Sequence, residues 1–482
     1  MDIKGKYKKL SLPARAALWF TVCNFVLKGI SFITGPIFTR LLPSDEYGTL
    51  SIFLSYEQLI LIFATWEIQL GAYQRGIFKY SDDVDFFTTS AQALTNILTI
   101  ACFVVIFIFN KIITRITEMP ISILILLFIY LLFRPAYNEW LTRRRKAYDY
   151  KAGVAVTLLY SIANVLVPMA ALLVVGRTAN VKFGFTLAIS SIICLLLYYK
   201  HANYWTIPQN WEKTKQYWKF CLVFEGPLVL HSLSYLVLSQ ADRVMIKEMI
   251  GSSQAAFYAV AYSIASVVSL FQSSVNTSLS PWRFQMLDEH RYQPIKDITN
   301  KLLIAFGLII IMFILVVPEM MKILFPSDYL EAVWCIPPIS TGVFFMFLYS
   351  IFVNIEEYYE QTKYVVIVSV TCGIINIVLN YIFIQLFGYI ACAYTTLFCY
   401  ILFSLGHYHF MKKTLIKEGI SESVVDARAI IFISIIVLCL SIIITLLYDR
   451  AILRYALFLC LLTLLFIKRE SITELFKQMK NR

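Results

Sequence analysis

The residues able to do chemistry in this chain are few, and most are charges set inside long apolar runs. Lys28 lies midway along the first run, and Glu57 lies at a similar depth in the second, counted from the Pro43-Ser44-Asp45 turn between them. Arg134 and Glu139 fall in the fourth run. Glu225 opens the seventh just before Gly226-Pro227, His231 follows one helical turn past Pro227, and Asp242-Arg243 stand near its far end. A charge in hydrocarbon costs roughly a few kcal/mol, so such groups face a polar cavity or a partner. Two readings are open for Lys28 and Arg134. They hold an anion such as a diphosphate in a wet cavity, or they belong to internal ion pairs that fix helix packing, Lys28 with Glu57 being one. For Glu57 and Glu225, proton exchange competes with plain pairing to a cation. His231 is either a group that titrates near neutrality or a hydrogen-bonded packing residue. Pro227 removes a backbone hydrogen bond within its run and marks a candidate hinge; Pro168 and Pro337-Pro338 would act likewise in theirs.

No catalytic constellation accompanies these charges. The sequence has no phosphate-cradling Gly-rich loop ending in Lys-Ser/Thr, no nucleophile elbow and no zinc-type His-Glu pattern. His407 and His409 flank a tyrosine and are too few for a metal site. The ten cysteines lie mostly inside apolar runs, without a CxxC, and read as small packing residues. A non-enzyme without metal or cofactor is expected.

The elements that must position these residues follow from composition. Of 482 residues, 59% are hydrophobic and only 15% charged, where a soluble protein carries about a quarter charged. Apolar runs of about 20 residues are the signature of spanning helices. About fourteen are expected, at residues 13–41, 47–71, 86–109, 121–141, 152–175, 183–199, 218–241, 255–278, 302–317, 333–353, 364–387, 389–410, 429–447 and 451–467. The last two are separated by a tight turn at Tyr448-Asp449-Arg450. The Lys-rich start, Met1 to Arg15, precedes a run too long for a signal-peptide core and reads as a signal anchor.

The net charge of +12 does not point to nucleic acid, because the cations sit at the ends of the runs. One set of connecting segments holds Lys4, Lys6, Lys8, Lys9 and Arg15, then Arg143 to Lys146, Lys200, Lys213, Lys215 and Lys219. It continues through Arg283, Arg291, Lys296 and Lys301, Lys412, Lys413 and Lys417, to the tail from Lys468 to Arg482. The opposite set holds scattered cations such as Arg40, Lys111, Arg115, Arg177 and Lys182. The bias, roughly three to one, places both termini in the cytoplasm. Arg75, Lys79 and the 143–146 cluster are head-group contacts or topology signals. Trp19, Trp140, Trp205, Trp218 and Trp334 suit interfacial anchoring.

An internal repeat orders the spans. Asn164 and Gly176 recur as Asn376 and Gly388 at the same spacing, and Lys151 recurs as Lys363. A repeat of six spans predicts two lobes related by a pseudo-two-fold axis along the membrane normal, with a cavity between them. The expected architecture is therefore all-α and integral to the membrane. It has an N-lobe over 1–210, a C-lobe over 211–415 and a C-terminal helix pair over 416–482.

Several segments carry a family resemblance. Arg40-Leu41-Leu42-Pro43-Ser44-Asp45-Glu46-Tyr47-Gly48 resembles the first external turn of polysaccharide-exporting membrane proteins. Gln240 to Ile246 with Phe257 to Tyr262 resembles their seventh-to-eighth span junction. Ser280-Pro281-Trp282 and an eleventh span with Asn376 and Asn380 complete the pattern. The chain resembles the polysaccharide-transport branch of the multidrug/oligosaccharidyl-lipid/polysaccharide exporter superfamily, although Phe257 stands where that family usually carries Gly. The resemblance implies two six-helix lobes around a central cavity, two further helices, and residence in a bacterial inner membrane. It also implies an undecaprenyl-diphosphate-linked oligosaccharide as substrate, flipped for O-antigen, capsule or exopolysaccharide synthesis. Membrane lipids, a polysaccharide polymerase and a chain-length regulator would be its partners. Asp242 and Arg243 match the junction motif, as a structural ion pair or with Arg243 as a substrate contact. A cation-coupled drug or metabolite antiporter of the same superfamily is the alternative.

Overall fold

The computed structural model describes residues 11–200, 210–359, 361–420 and 422–467, and among these the chain is helical with no strand. The helices are α1 Leu12–Leu41, α2 Ser44–Thr65, α3 Ala72–Lys79, α4 Val84–Ile108, α5 Asn110–Thr117, α6 Ile121–Lys146, α7 Tyr150–Val174 and α8 Ala179–Lys200. There follow α9 Trp211–Met249, α10 Ser252–Asp288, α11 Tyr292–Leu324, α12 Ile336–Tyr358, α13 Thr362–Phe387, α14 Ala391–Lys417, α15 Ala427–Leu446 and α16 Ala451–Ile467. Twelve of the described helical segments are long and apolar enough to cross a bilayer. By that measure fourteen spans are not reached: α14 falls outside the set, and the apolar stretch of α16 is short. The basic residues before 11 and after 467, with Trp205, lie outside the described residues.

Helix ends follow local chemistry. Ser11 caps α1 by accepting from the Ala14 N–H, with Pro13 in the first turn, where its missing N–H costs nothing. Asn210 and Asp426 cap α9 and α15 in the same way. α13 ends on Gly388 at φ +73°, a left-handed position that favours glycine.

Two expectations are corrected. Pro337-Pro338 were expected to kink the tenth span, but α12 begins at Ile336, so both sit in its first turn and need no kink. The second span was expected to run to Gly71, but α2 stops at Thr65, and Trp66 and Glu67 adopt left-handed backbone (φ 49° and 52°) before α3. The Thr65 hydroxyl, accepting from the Glu67 N–H, supports that break.

The chain divides into two compact units, residues 1–259 with 369–381, and residues 260–368 with 382–482. In the first, α1 packs along α7, α2 along α9 and α4, and α6 along α8. Glu46 at the start of α2 accepts from the Ala179 N–H at 2.6 Å, placing a carboxylate on the positive end of α8. Two residues on, Gly48 lies so close to the start of α10 that a Cβ would meet the Ser252 carbonyl oxygen at 1.8 Å. The first-turn segment that carries the family resemblance thus has a packing reason for its glycine. In the second unit α12 is central, flanked by α11, α14 and α15 and buried along most of its length. There Arg454 of α16, almost fully buried, clasps Glu319 of α11 through two bonds of 2.7 and 2.8 Å.

Candidate functional site

The first unit gathers charges inside its helices. Glu57 on α2 lies within electrostatic reach of both Arg134 on α6 and Lys182 on α8. All three are half-buried. Two cations against one carboxylate leave one positive charge in excess. Arg134 sits over the Tyr130 ring at 5.5 Å, and Lys182 over Phe38 at 5.1 Å, contacts that tolerate a cation without neutralising it.

A hydroxyl network adjoins this group. The Tyr130 and Tyr160 hydroxyls meet at 3.3 Å, Tyr160 donates to Ser190 at 3.0 Å, and Ser190 donates to Asn164 at 2.8 Å. Tyr137 stacks on Tyr160 with ring centroids 5.0 Å apart. Rings, hydroxyls and surplus positive charge together suit an anionic, hydroxyl-rich ligand. On the other side of Arg134, Thr65, Glu67, Gln69 and Asn138 line a small recess with it.

Lys28 is placed differently. The proposed pair with Glu57 does not form, because α1 lies along α7 and the charged neighbours of Glu57 are Arg134 and Lys182. Lys28 is exposed, in a stripe with Thr21, Asn24 and Ser31, all exposed and spaced three or four residues apart on one helix face. Phe25, Val26 and Ile33 are also exposed, on other faces of the same helix. α1 thus presents a polar line along an otherwise apolar surface.

The remaining candidates lie along α9. Glu225, buried, accepts from the Ala72 N–H at the start of α3. Ser232 donates to Glu67 at 2.7 Å, so α9 is tied twice to the region around the α2–α3 break. Pro227 lies between these ties, within a helix that continues from Trp211 to Met249. His231 Nδ1 stands 2.9 Å from the Ser369 hydroxyl. Asp242, fully buried, accepts from the Tyr258 hydroxyl at 2.5 Å and the Asn380 amide at 2.6 Å, while Arg243 donates to Gln240 at 2.6 Å.

Sequence reasoning missed three features. Lys182 was assigned to a connecting segment, but α8 begins before it and encloses it. The tyrosine and Asn164 network could have been found only through Asn164, already marked by the repeat. In the second unit, Glu356 and His407 are both fully buried, with a carboxylate oxygen 3.1 Å from Nδ1. His407 lies near the end of the expected span 389–410, and α14 continues past it to Lys417.

A family profile described as "Polysaccharide biosynthesis protein" matches residues 14–287, more than half of the chain, and the MatE profile matches residues 227–382. A protein of Haemophilus influenzae called Lsg locus putative protein 1 is 23% identical over 372 residues, which cover 73% of this chain and 86% of that one. The lipid II flippase MurJ, in an inward closed conformation, aligns with a TM-score of 0.70 at 15% identity, covering 94% of this chain and 100% of that one. An inward-facing multidrug resistance transporter of the MATE family aligns at 0.63 and 11% identity, covering 84% and 100%. At such identities these likenesses concern the fold.

The all-helical, multi-pass fold, with twelve described helices long and apolar enough to cross a bilayer, is similar to the folds of these solved membrane proteins. The chain belongs to the polysaccharide biosynthesis protein family.

Proposed function

We propose that this protein is a flippase that moves undecaprenyl-diphosphate-linked oligosaccharide repeat units from the cytoplasmic to the outer leaflet. It would serve O-antigen, capsule or exopolysaccharide synthesis, with both termini in the cytoplasm. The observation that carries the reading is the excess positive charge of Arg134 and Lys182 over Glu57, held inside membrane helices beside a tyrosine network. A diphosphate crossing hydrocarbon needs compensating cations and water, and Arg suits phosphate oxygens through its planar fork of donors. The polar line through Lys28 supports a water-lined path along α1, since an unpaired lysine facing acyl chains is costly. The similar fold of a protein described as a lipid II flippase adds weight to a lipid-linked substrate.

A cation-coupled drug antiporter is the second reading, favoured by the MatE match and the MATE-like fold. Reconstituted vesicles separate the two. Transbilayer movement of a polyprenyl-diphosphate oligosaccharide is expected, without movement of cationic dyes. In cells, Lys28→Ala and Arg134→Ala should abolish surface glycan while the protein stays in the membrane. Normal glycan in both strains would overturn the assignment.

A further inference from the structure

α3 is too short to cross a bilayer, and it lies between two helices that can. α2 ends at Thr65 and α4 begins at Val84, so the eight residues Ala72–Lys79 sit at one membrane face. It is the face that the basic segments assign to the cytoplasm, because Lys146, at the end of α6, donates to the Ile77 carbonyl in the last turn of α3. The inner side of α3 is fixed. Ala72, Tyr73 and Ile77 are buried in a core with Phe87, Tyr217 and Cys221. Gly76 lies so close to α4 that a Cβ would meet the Phe87 ring at 2.1 Å.

The outer side carries the opposite character. Leu70, just before the helix, and Phe78 within it are exposed (53% and 65%), and so are Arg75 and Lys79, one turn apart. Three cations here are held over rings. The Arg75 guanidinium lies 5.6 Å from the centre of the Phe224 ring, Lys79 Nζ 4.6 Å from Phe220, and Lys146 Nζ 5.0 Å from Phe78. Phe220 and Phe224 are themselves one turn apart on α9, so the first two contacts form successive rungs. None of the three cations has a carboxylate within ion-pair distance among the described residues. On adjoining segments Arg143, Arg144 and Lys213 are paired, with Asp85, Asp149 and Asp83. A ring orders a cation and leaves its charge available. Uncompensated cations beside an apolar edge, on a helix at the membrane face, complement phosphates above and acyl chains below.

We propose that α3 is a docking site for anionic phospholipid of the cytoplasmic leaflet. Arg75, Lys79 and Lys146 hold lipid phosphates, while Leu70 and Phe78 reach into the acyl layer. The contact bears on α9 as well. Glu225 and Ser232, on either side of Pro227, bond to the Ala72 N–H and to Glu67, so a lipid that steadies α3 steadies the candidate hinge. The inference goes beyond the flippase reading and holds whatever the cargo.

The test uses the full chain in phosphatidylcholine vesicles. Phe78→Trp places a fluorophore at the site and keeps a ring under Lys146. Brominated phosphatidylglycerol should quench the added fluorescence at a lower mole fraction than brominated phosphatidylcholine. An interfacial cation contributes about fivefold at low ionic strength, so Arg75→Gln/Lys79→Gln in that background should shrink the preference about 25-fold. Raising the salt should weaken the preference in the parent. Lys412→Gln/Lys417→Gln on α14, which removes the same charge elsewhere, should leave it intact. Equal quenching by the two lipids, quenching by neither, or an equal loss in the α14 variant would overturn the proposal. Protection from quenching by a polyprenyl diphosphate, with no preference for phosphatidylglycerol, would make the patch a substrate contact and overturn it too. No readout here requires flipping, so failure of the flippase assignment would leave the lipid site standing.

Discussion

Neutralising Arg134 should damage transport, and neutralising Glu57 in the same chain should partly restore it. Arg134→Gln removes one of two cations and leaves Glu57 balanced by Lys182 alone, so the surplus charge vanishes. A hydrogen bond to a charged group contributes about 1.5–3 kcal/mol, so apparent affinity for the diphosphate should fall roughly 10- to 100-fold. With Arg134 gone, Glu57 repels the ligand. At an effective dielectric near 20 and a separation of roughly 10 Å, that repulsion is about 1.7 kcal/mol per unit charge. Removing it in Arg134→Gln/Glu57→Gln restores the single excess charge through Lys182 and should recover roughly tenfold. The assay is the concentration dependence of glycolipid flipping in vesicles, read as a double-mutant cycle. A double variant as impaired as Arg134→Gln, or worse, would refute charge balance as the basis of binding.

Other outcomes follow from the packing. Gly48→Ala forces a methyl group into the Ser252 carbonyl, backbone against backbone, and should cost about 1–3 kcal/mol or more, seen as a lower melting temperature in detergent. Glu319→Ala strands the buried guanidinium of Arg454 and should cost about 3–5 kcal/mol. Arg454→Met should cost less, because Glu319 keeps 27% of its side chain exposed, and equal costs measured by thermal melting would contradict that asymmetry. Glu356→Ala removes the one bonded partner of the His407 ring, whose Nε2 has none among the described residues. It should therefore be less stable than Glu356→Gln by about 1–3 kcal/mol in the same assay.

Much of the fold was legible because bilayer thickness imposes one length on every span, and apolar runs of that length can be counted. The residues that interrupt those runs were equally visible, so Glu57 and Arg134 stood out before any geometry was known. Their partners did not. Depth along two neighbouring runs suggested Lys28 for Glu57, but depth says nothing about which helices touch, and α1 turns to α7 instead. Lys182 was hidden for a different reason: in the first turn of a helix, a lysine facing inward and one facing solvent read alike. The break after Thr65 begins at Trp66 and Glu67, five residues before the Gly71 that would announce it, and the tie from Ser232 of α9 to Glu67 is a tertiary contact that no local pattern encodes. Glu356 and His407 are 51 residues apart and meet only because α12 and α14 pack side by side.

The hydrophilic line on α1 also bears on how the protein is made. A lysine near the centre of an inserting helix costs about 2.5–3.5 kcal/mol, while each Leu, Ile, Phe or Val nearby returns only about 0.3–0.6. The principal neighbour of α1, α7, starts at Tyr150 and emerges from the ribosome long after Leu41. During that interval α1 is a weakly committed segment at the translocon, and its residence in the bilayer is secured by a helix not yet synthesised. Lesions in α7 should therefore surface as misoriented N-termini.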